Sequence, residues 1–213
     1  MNKIISLLVG SLFLASNALA GPMVGIKVGD GDLEATKLAI DSVAGDEGAE
    51  TNSINNTFAA IFVESGVADS PLSLGLEVVP LTGTVSLSNG NDTDASVELS
   101  NLKTVYALVS REVQDGASIY GKVGYSHADI DNAKQSNGTT TINSFSDALE
   151  GPMVGIGFQA PENAQGIIFR AEATLSKFDD VQVKTTDADG LAETKKANDI
   201  EFTTFTISIA KQF

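Results

Sequence analysis

His127 is the only histidine of the 213-residue chain, and it stands in the run Ser126-His127-Ala128-Asp129-Ile130-Asp131. A histidine, a hydroxyl and a carboxylate are the parts of a relay in which the imidazole takes the nucleophile's proton. The spacing argues against that use. Neighbouring residues on a strand point to opposite faces, so Ser126 and His127 do not meet, and His127 is expected to be an interfacial side chain. No catalytic residue is expected. Asp30-Gly31-Asp32, Asp129-Ile130-Asp131-Asn132 and Asp187-Ala188-Asp189-Gly190 have the look of calcium loops, but none carries the closing glutamate at the required spacing. They are expected to be solvated acids. With no cysteine, the chain has neither a disulfide framework nor a thiolate metal site. No metal or cofactor is expected.

The charge balance narrows the partners. The chain has 28 acidic and 13 basic residues, a formal charge of −15. Nucleic-acid binding requires a basic stripe, and the acids here crowd the segments between apolar runs, so nucleic acid is excluded as a partner.

The amino terminus opens with Met1-Asn2-Lys3, continues with an apolar stretch from Ile4 to Leu14, and reaches the small-residue triplet Ala18-Leu19-Ala20. Charge, apolar core and small residues in that order make a secretory signal peptide, with cleavage expected after Ala20. The apolar stretch is shorter than the roughly 20 residues a spanning helix needs. Residues 1–20 are therefore assigned to the signal and residues 21–213 to a single domain. Loss of Lys3 with the signal takes the formal charge to −16.

Within that domain, apolar residues recur with a period of two. Leu72, Leu74, Leu76 and Val78 share one face; so do Ile119, Val123 and Tyr125; so do Ile167, Phe169, Ala171, Ala173 and Leu175. A period of two is a strand with one apolar face. Strands are expected at about 22–29, 57–65, 72–79, 102–112, 118–127, 151–160, 167–178 and 201–213. The second and fourth do not alternate, and their facing is left open. The segments between the eight alternate long and short, beginning with the long acidic one from Asp30 to Asn56. An up-and-down antiparallel barrel with both ends on one side of a membrane predicts this: short turns on that side, long loops on the other. A short helix over Leu33–Ala44 is expected in the first long loop. The hexapeptide GPMVGI occurs at Gly21–Ile26 and Gly151–Ile156, and Pro22 and Pro152 are expected at strand starts, where no ladder donor is missed.

Ser118–Asp131 (SIYGKVGYSHADID), Gly155–Gln159 (GIGFQ) and Ile167–Asp180 (IIFRAEATLSKFDD) resemble the fifth to seventh strands of the OmpA/OmpX-type outer-membrane barrels. The terminal run Phe205–Phe213 resembles their last strand, whose closing aromatic is read by the barrel-insertion machinery. That role falls to Phe213, although Lys211 stands where the family usually has a second aromatic. With no tryptophan, the aromatic girdles are expected from Phe58, Phe62, Phe158, Phe169, Phe178 and Phe202. The resemblance implies an all-β, eight-stranded antiparallel up-and-down transmembrane barrel in the Gram-negative outer membrane. Its partners would be outer-membrane lipid and lipopolysaccharide, with periplasmic chaperones and the insertion machinery during assembly. The His-Ser pattern of lipid A deacylases is absent.

An eight-stranded barrel has a lumen that side chains fill. Strand parity points Lys27, Glu77, Lys122, Arg170 and Glu172 inward, about three to five residues from the periplasmic strand starts and so at nearly one level. A central salt-bridge network is expected, with Glu77 facing Arg170. The expected function is a non-enzymatic barrel that stabilises the envelope or presents acidic loops for recognition. A small solute channel is the alternative, and a lipid A-modifying enzyme stands behind it.

Overall fold

The computed structural model describes residues 19–40, 50–80, 83–87, 95–135, 141–145, 148–186 and 192–213. These form β1 (Leu19–Ile40), β2 (Glu50–Val67), β3 (Leu72–Val79), β4 (Gly83–Leu87), β5 (Ala95–Gln114), β6 (Ala117–Gln135), β7 (Thr141–Phe145), β8 (Ala148–Gln159), β9 (Ile167–Phe178), β10 (Val181–Thr186) and β11 (Ala192–Gln212). Eight of them close a ring in the order β1-β2-β3-β5-β6-β8-β9-β11, and β11 returns to β1. Every pairing around the ring is antiparallel. The short β4, β7 and β10 continue β3, β8 and β9 beyond that ring.

Short turns gather at one end. Asp115 and Gly116 both have positive φ, 49° and 82°, between the cross-strand partners Gln114 and Ala117. Positive φ at both central residues is the two-residue hairpin that Asp-Gly favours. Asn163 shapes the β8–β9 turn, its Oδ1 accepting the Gln165 and Ile167 amides at 2.9 Å each.

At the other end the strands run further than the alternation suggests. β1 continues from the expected end near residue 29 to Ile40, paired with both β2 and β11, so Leu33–Ile40 is strand and not the expected helix. The reason is solvent. Above the membrane a strand has no apolar face to display, so the period of two fades while the ladder hydrogen bonds persist. Pro22 and Pro152 also lie inside strands, opposite Ser65 and Tyr125, and not at their first residues.

The upper wall divides. β2 pairs with β3 only from Ile61–Val78 down to Gly66–Ser73, and Pro80, which has no amide hydrogen, follows the end of β3. β6 pairs with β8 only up to Asp129–Ala148. Above these points the described strands form two leaves, β4-β5-β6 and β7-β10-β11-β1-β2.

Alternation separates the two faces of the wall. Val24, Ile26, Val28, Ile61, Val105, Val109, Ile119, Val123, Val154, Ile156, Phe169, Ile207 and Ile209 are exposed on the outside, a band fit for lipid. Among the described residues the exposed aromatics are Tyr125, Phe158, Phe169, Phe205 and Phe213. Of the phenylalanines expected in girdles, only Phe158 and Phe169 face outward. Phe58, Phe62 and Phe178 are buried in the lumen, and Phe202 packs there beside them.

Those inward rings explain the two strands that do not alternate. β2 buries Phe58, Ala60 and Phe62 inside while exposing Ile61 outside; β5 buries Tyr106 and Leu108 while exposing Val105 and Val109. Both faces are apolar, so no period remains. The rings need space, and glycine on the next strand supplies it. Phe62 lies opposite Gly25, Tyr106 opposite Gly75 and Tyr120 opposite Gly157, and in each pair a Cβ on the glycine would overlap the ring.

Candidate functional site

The lumen holds a layer of six charged side chains. Lys27 of β1 donates to Glu77 Oε2 of β3 and Glu172 Oε1 of β9, both at 2.7 Å. Lys122 of β6 donates to the same two oxygens at 3.0 and 3.1 Å. The four side chains make a closed ring in which each lysine bridges both glutamates. Tyr120 donates to the second oxygen of Glu172 at 3.1 Å, and the Lys122 ammonium stands 3.9 Å from the centre of the Tyr106 ring.

Arg170 lies beside this ring but pairs elsewhere. Its Nη1 and Nη2 reach Glu64 of β2 at 2.9 and 3.0 Å, its Nε reaches Gln159 at 2.8 Å, and Tyr106 donates to Glu64 at 3.2 Å. The expected Glu77–Arg170 facing is thereby corrected: Glu77 is taken by the two lysines, and Glu64 presents the planar carboxylate that a guanidinium fork matches. Glu64 was missed because β2 shows no alternation. The signal available was its parity with Phe58 and Phe62, had those been known to face inward.

Lys27, Lys122 and Arg170 balance Glu64, Glu77 and Glu172, so the layer is neutral. Neutrality and full hydrogen bonding are what such groups need away from water, since a lone buried charge is costly. Above the layer come hydroxyls: Thr104 and Ser126 bond at 2.9 Å, Thr174 and Thr204 at 2.7 Å. They border a small cavity, about 20 Å³ of which is open to the centre of a water molecule, reaching Glu77 and Lys122 below and Phe58, Val79, Leu102 and Phe202 above. Apolar clusters also pack in the lumen. Met23, Phe62, Ile168 and Ala210 lie on the side of the short turns; Ala128, Ile130, Leu149, Phe178, Val181 and Ile200 lie on the other.

Ser126 and His127 part as the alternation requires: Ser126 is buried in the lumen, while His127 is on the outer wall, its Nδ1 2.7 Å from Glu150 and its Nε2 3.1 Å from Asp129. Ala20 opens β1 with Leu19, and Phe213 donates its backbone amide to the Pro22 carbonyl at 3.0 Å, next to the closing seam.

The profile of the outer membrane protein beta-barrel domain matches residues 5–213. The chain belongs to that family. Outer membrane protein OprG from Pseudomonas aeruginosa has the same fold at 13% identity, with a TM-score of 0.67 over 92% of this chain and 98% of its own. Outer membrane protein AlkL follows at 12% identity, TM-score 0.58, over 91% and 90%, and Escherichia coli outer membrane protein W at 14%, TM-score 0.54, over 91% and 98%. At these identities the likeness is one of fold. Among curated proteins none matches the chain. Membership of the family assigns this barrel to the bacterial outer membrane, with the apolar outer band against lipid and the long extensions on the side away from the short turns.

Proposed function

We propose that this outer-membrane barrel is neither an enzyme nor an open channel, and that it reinforces the envelope while holding its two extended leaves as a recognition surface. One observation carries the reading: a neutral six-charge layer, interleaved with buried apolar side chains, occupies the lumen and leaves only a small cavity above it. An ion crossing it would have to break paired charges and pass the apolar side chains packed among and above them. The separation of Ser126 from His127 supports the non-enzymatic part. Residues 1–20 act as the export signal, Phe213 as the insertion signal read after chaperoned passage through the periplasm, and the acidic leaves meet lipopolysaccharide.

Purified protein in a planar bilayer tests the plug. Rare or no conductance steps are expected, and steady ion-sized openings would favour the small-channel alternative instead. Mass spectrometry of lipid A from cells with and without the protein tests the absence of activity, with identical acyl patterns expected.

A further inference from the structure

His127 sits where the wall divides. On the outer face it lies opposite Lys103 of β5 and Glu150 of β8, two residues below Asp129–Ala148, the last pair joining β6 to β8. Its side chain is 15% exposed, with Nδ1 2.7 Å from Glu150 and Nε2 3.1 Å from Asp129. A carboxylate only accepts hydrogen bonds. A neutral imidazole has one donor and one acceptor, so both contacts are made together only when both ring nitrogens carry hydrogen. The other charged and titratable groups of the patch are Lys103, 3.7 Å from Asp129, then Tyr125 below, and Asp179, whose backbone amide donates to the Glu150 carbonyl. Asn101 also bonds to Asp129.

We propose that His127 is a proton-dependent clasp, which in its doubly protonated form ties β6 to β8 and sets how far up the wall their pairing holds. Loss of one proton turns one ring nitrogen into an acceptor facing a carboxylate. That contact fails, and the Ala128–Leu149 and Asp129–Ala148 pairs above it lose their outer support. The other side of the divide, between β2 and β3, has no histidine, so the effect is confined to one seam.

Because the chain has a single histidine, its ring resonances report the protonation of His127 directly in detergent or nanodiscs. Backbone hydrogen exchange, corrected for its intrinsic pH dependence, reports the seam. As the pH is raised through the transition that those resonances record, protection at Ala128–Leu149 and Asp129–Ala148 should fall about tenfold, the scale of one charge-assisted hydrogen bond. The fall should track the ring titration, and the lower Ser118–Gln159 and Tyr120–Gly157 pairs should stay constant. His127→Gln and Glu150→Gln, which cannot form the charged contact, should each show a flat profile. An equal fall in either variant, or a ring that titrates with no change at the seam, overturns the clasp. Two variants are used so that poor assembly of one leaves the other to decide.

Discussion

Glu172 and Glu77 share two lysines, yet they are not equivalent. Glu172 also accepts from Tyr120 and is the more enclosed, with a side chain 7% exposed against 14%. Glu172→Ala leaves both lysines on one carboxylate and a tyrosine hydroxyl without its acceptor. The expected cost is about 3–5 kcal/mol in urea unfolding of the detergent-folded protein, with a smaller loss for Glu77→Ala. Glu64→Ala should resemble Glu172→Ala, because Gln159 alone then faces Arg170. The double variant Glu64→Leu with Arg170→Met should unfold closer to wild type than Glu64→Ala, since a matched apolar pair strands no charge. If all three single variants lie within about 1 kcal/mol of wild type, the level of a surface ion pair, the layer contributes no stability. The glycines allow a second comparison. A Cβ at Gly75 or Gly157 would overlap a tyrosine ring, whereas one at Gly121 meets nothing within 4 Å. Alanine at the first two should cost about 1–3 kcal/mol by overpacking, and alanine at Gly121 less than about 0.5 kcal/mol. Lys27, Glu77, Lys122, Arg170 and Glu172 were legible as inward residues because their strands alternate. Their pairing was not, since Glu64 lies on a strand whose two faces are equally apolar.

At the scale of elements, the membrane-embedded part of each strand was legible and its continuation was not. Lipid imposes an apolar outer face on Ile119–Tyr125 or Ile167–Leu175, and water imposes nothing comparable on Leu33–Ile40. The extension of β1 and β2 is thus supported by its own ladder and by β11 of the same leaf, separate from the lipid-facing wall. Replacing residues 35–52 by Asn-Gly, which joins the cross-strand partners Glu34 and Ser53, should leave a barrel that still changes gel mobility on boiling. A variant recovered only as degraded protein would mean that the extension is needed to fold the wall. Deleting Phe213 should have the opposite result. It removes the terminal aromatic and the amide that bonds to Pro22 just beyond Met23–Gln212, the last rung of the seam. Less heat-modifiable protein and more periplasmic degradation are expected, and an undiminished yield would show that Phe213 carries no insertion signal.

For the whole molecule, the alternation of long and short segments was enough to give the ring of eight strands, because only a barrel with its short turns on one side requires it. The division of the upper wall was not legible: it depends on which strands leave their neighbours, and pairing partners are not written in periodicity. Export is the remaining expectation at this scale. Protein purified from the envelope should begin at Gly21, and amino-terminal sequencing that returns Met1 would remove the signal-peptide assignment.

The closing seam joins the first strand to the last, from Met23 opposite Gln212 up to Ile40 opposite Thr194. β1 is made long before its partner β11, with every other strand of the wall between them in sequence. At about 5–20 residues per second, the roughly 150 residues that separate them take about 8–30 s to make. Throughout that interval β1 can pair with β2 on one side, while its other edge has no partner. A product truncated before β11 can never seal, so its β1 edge stays open to a protease.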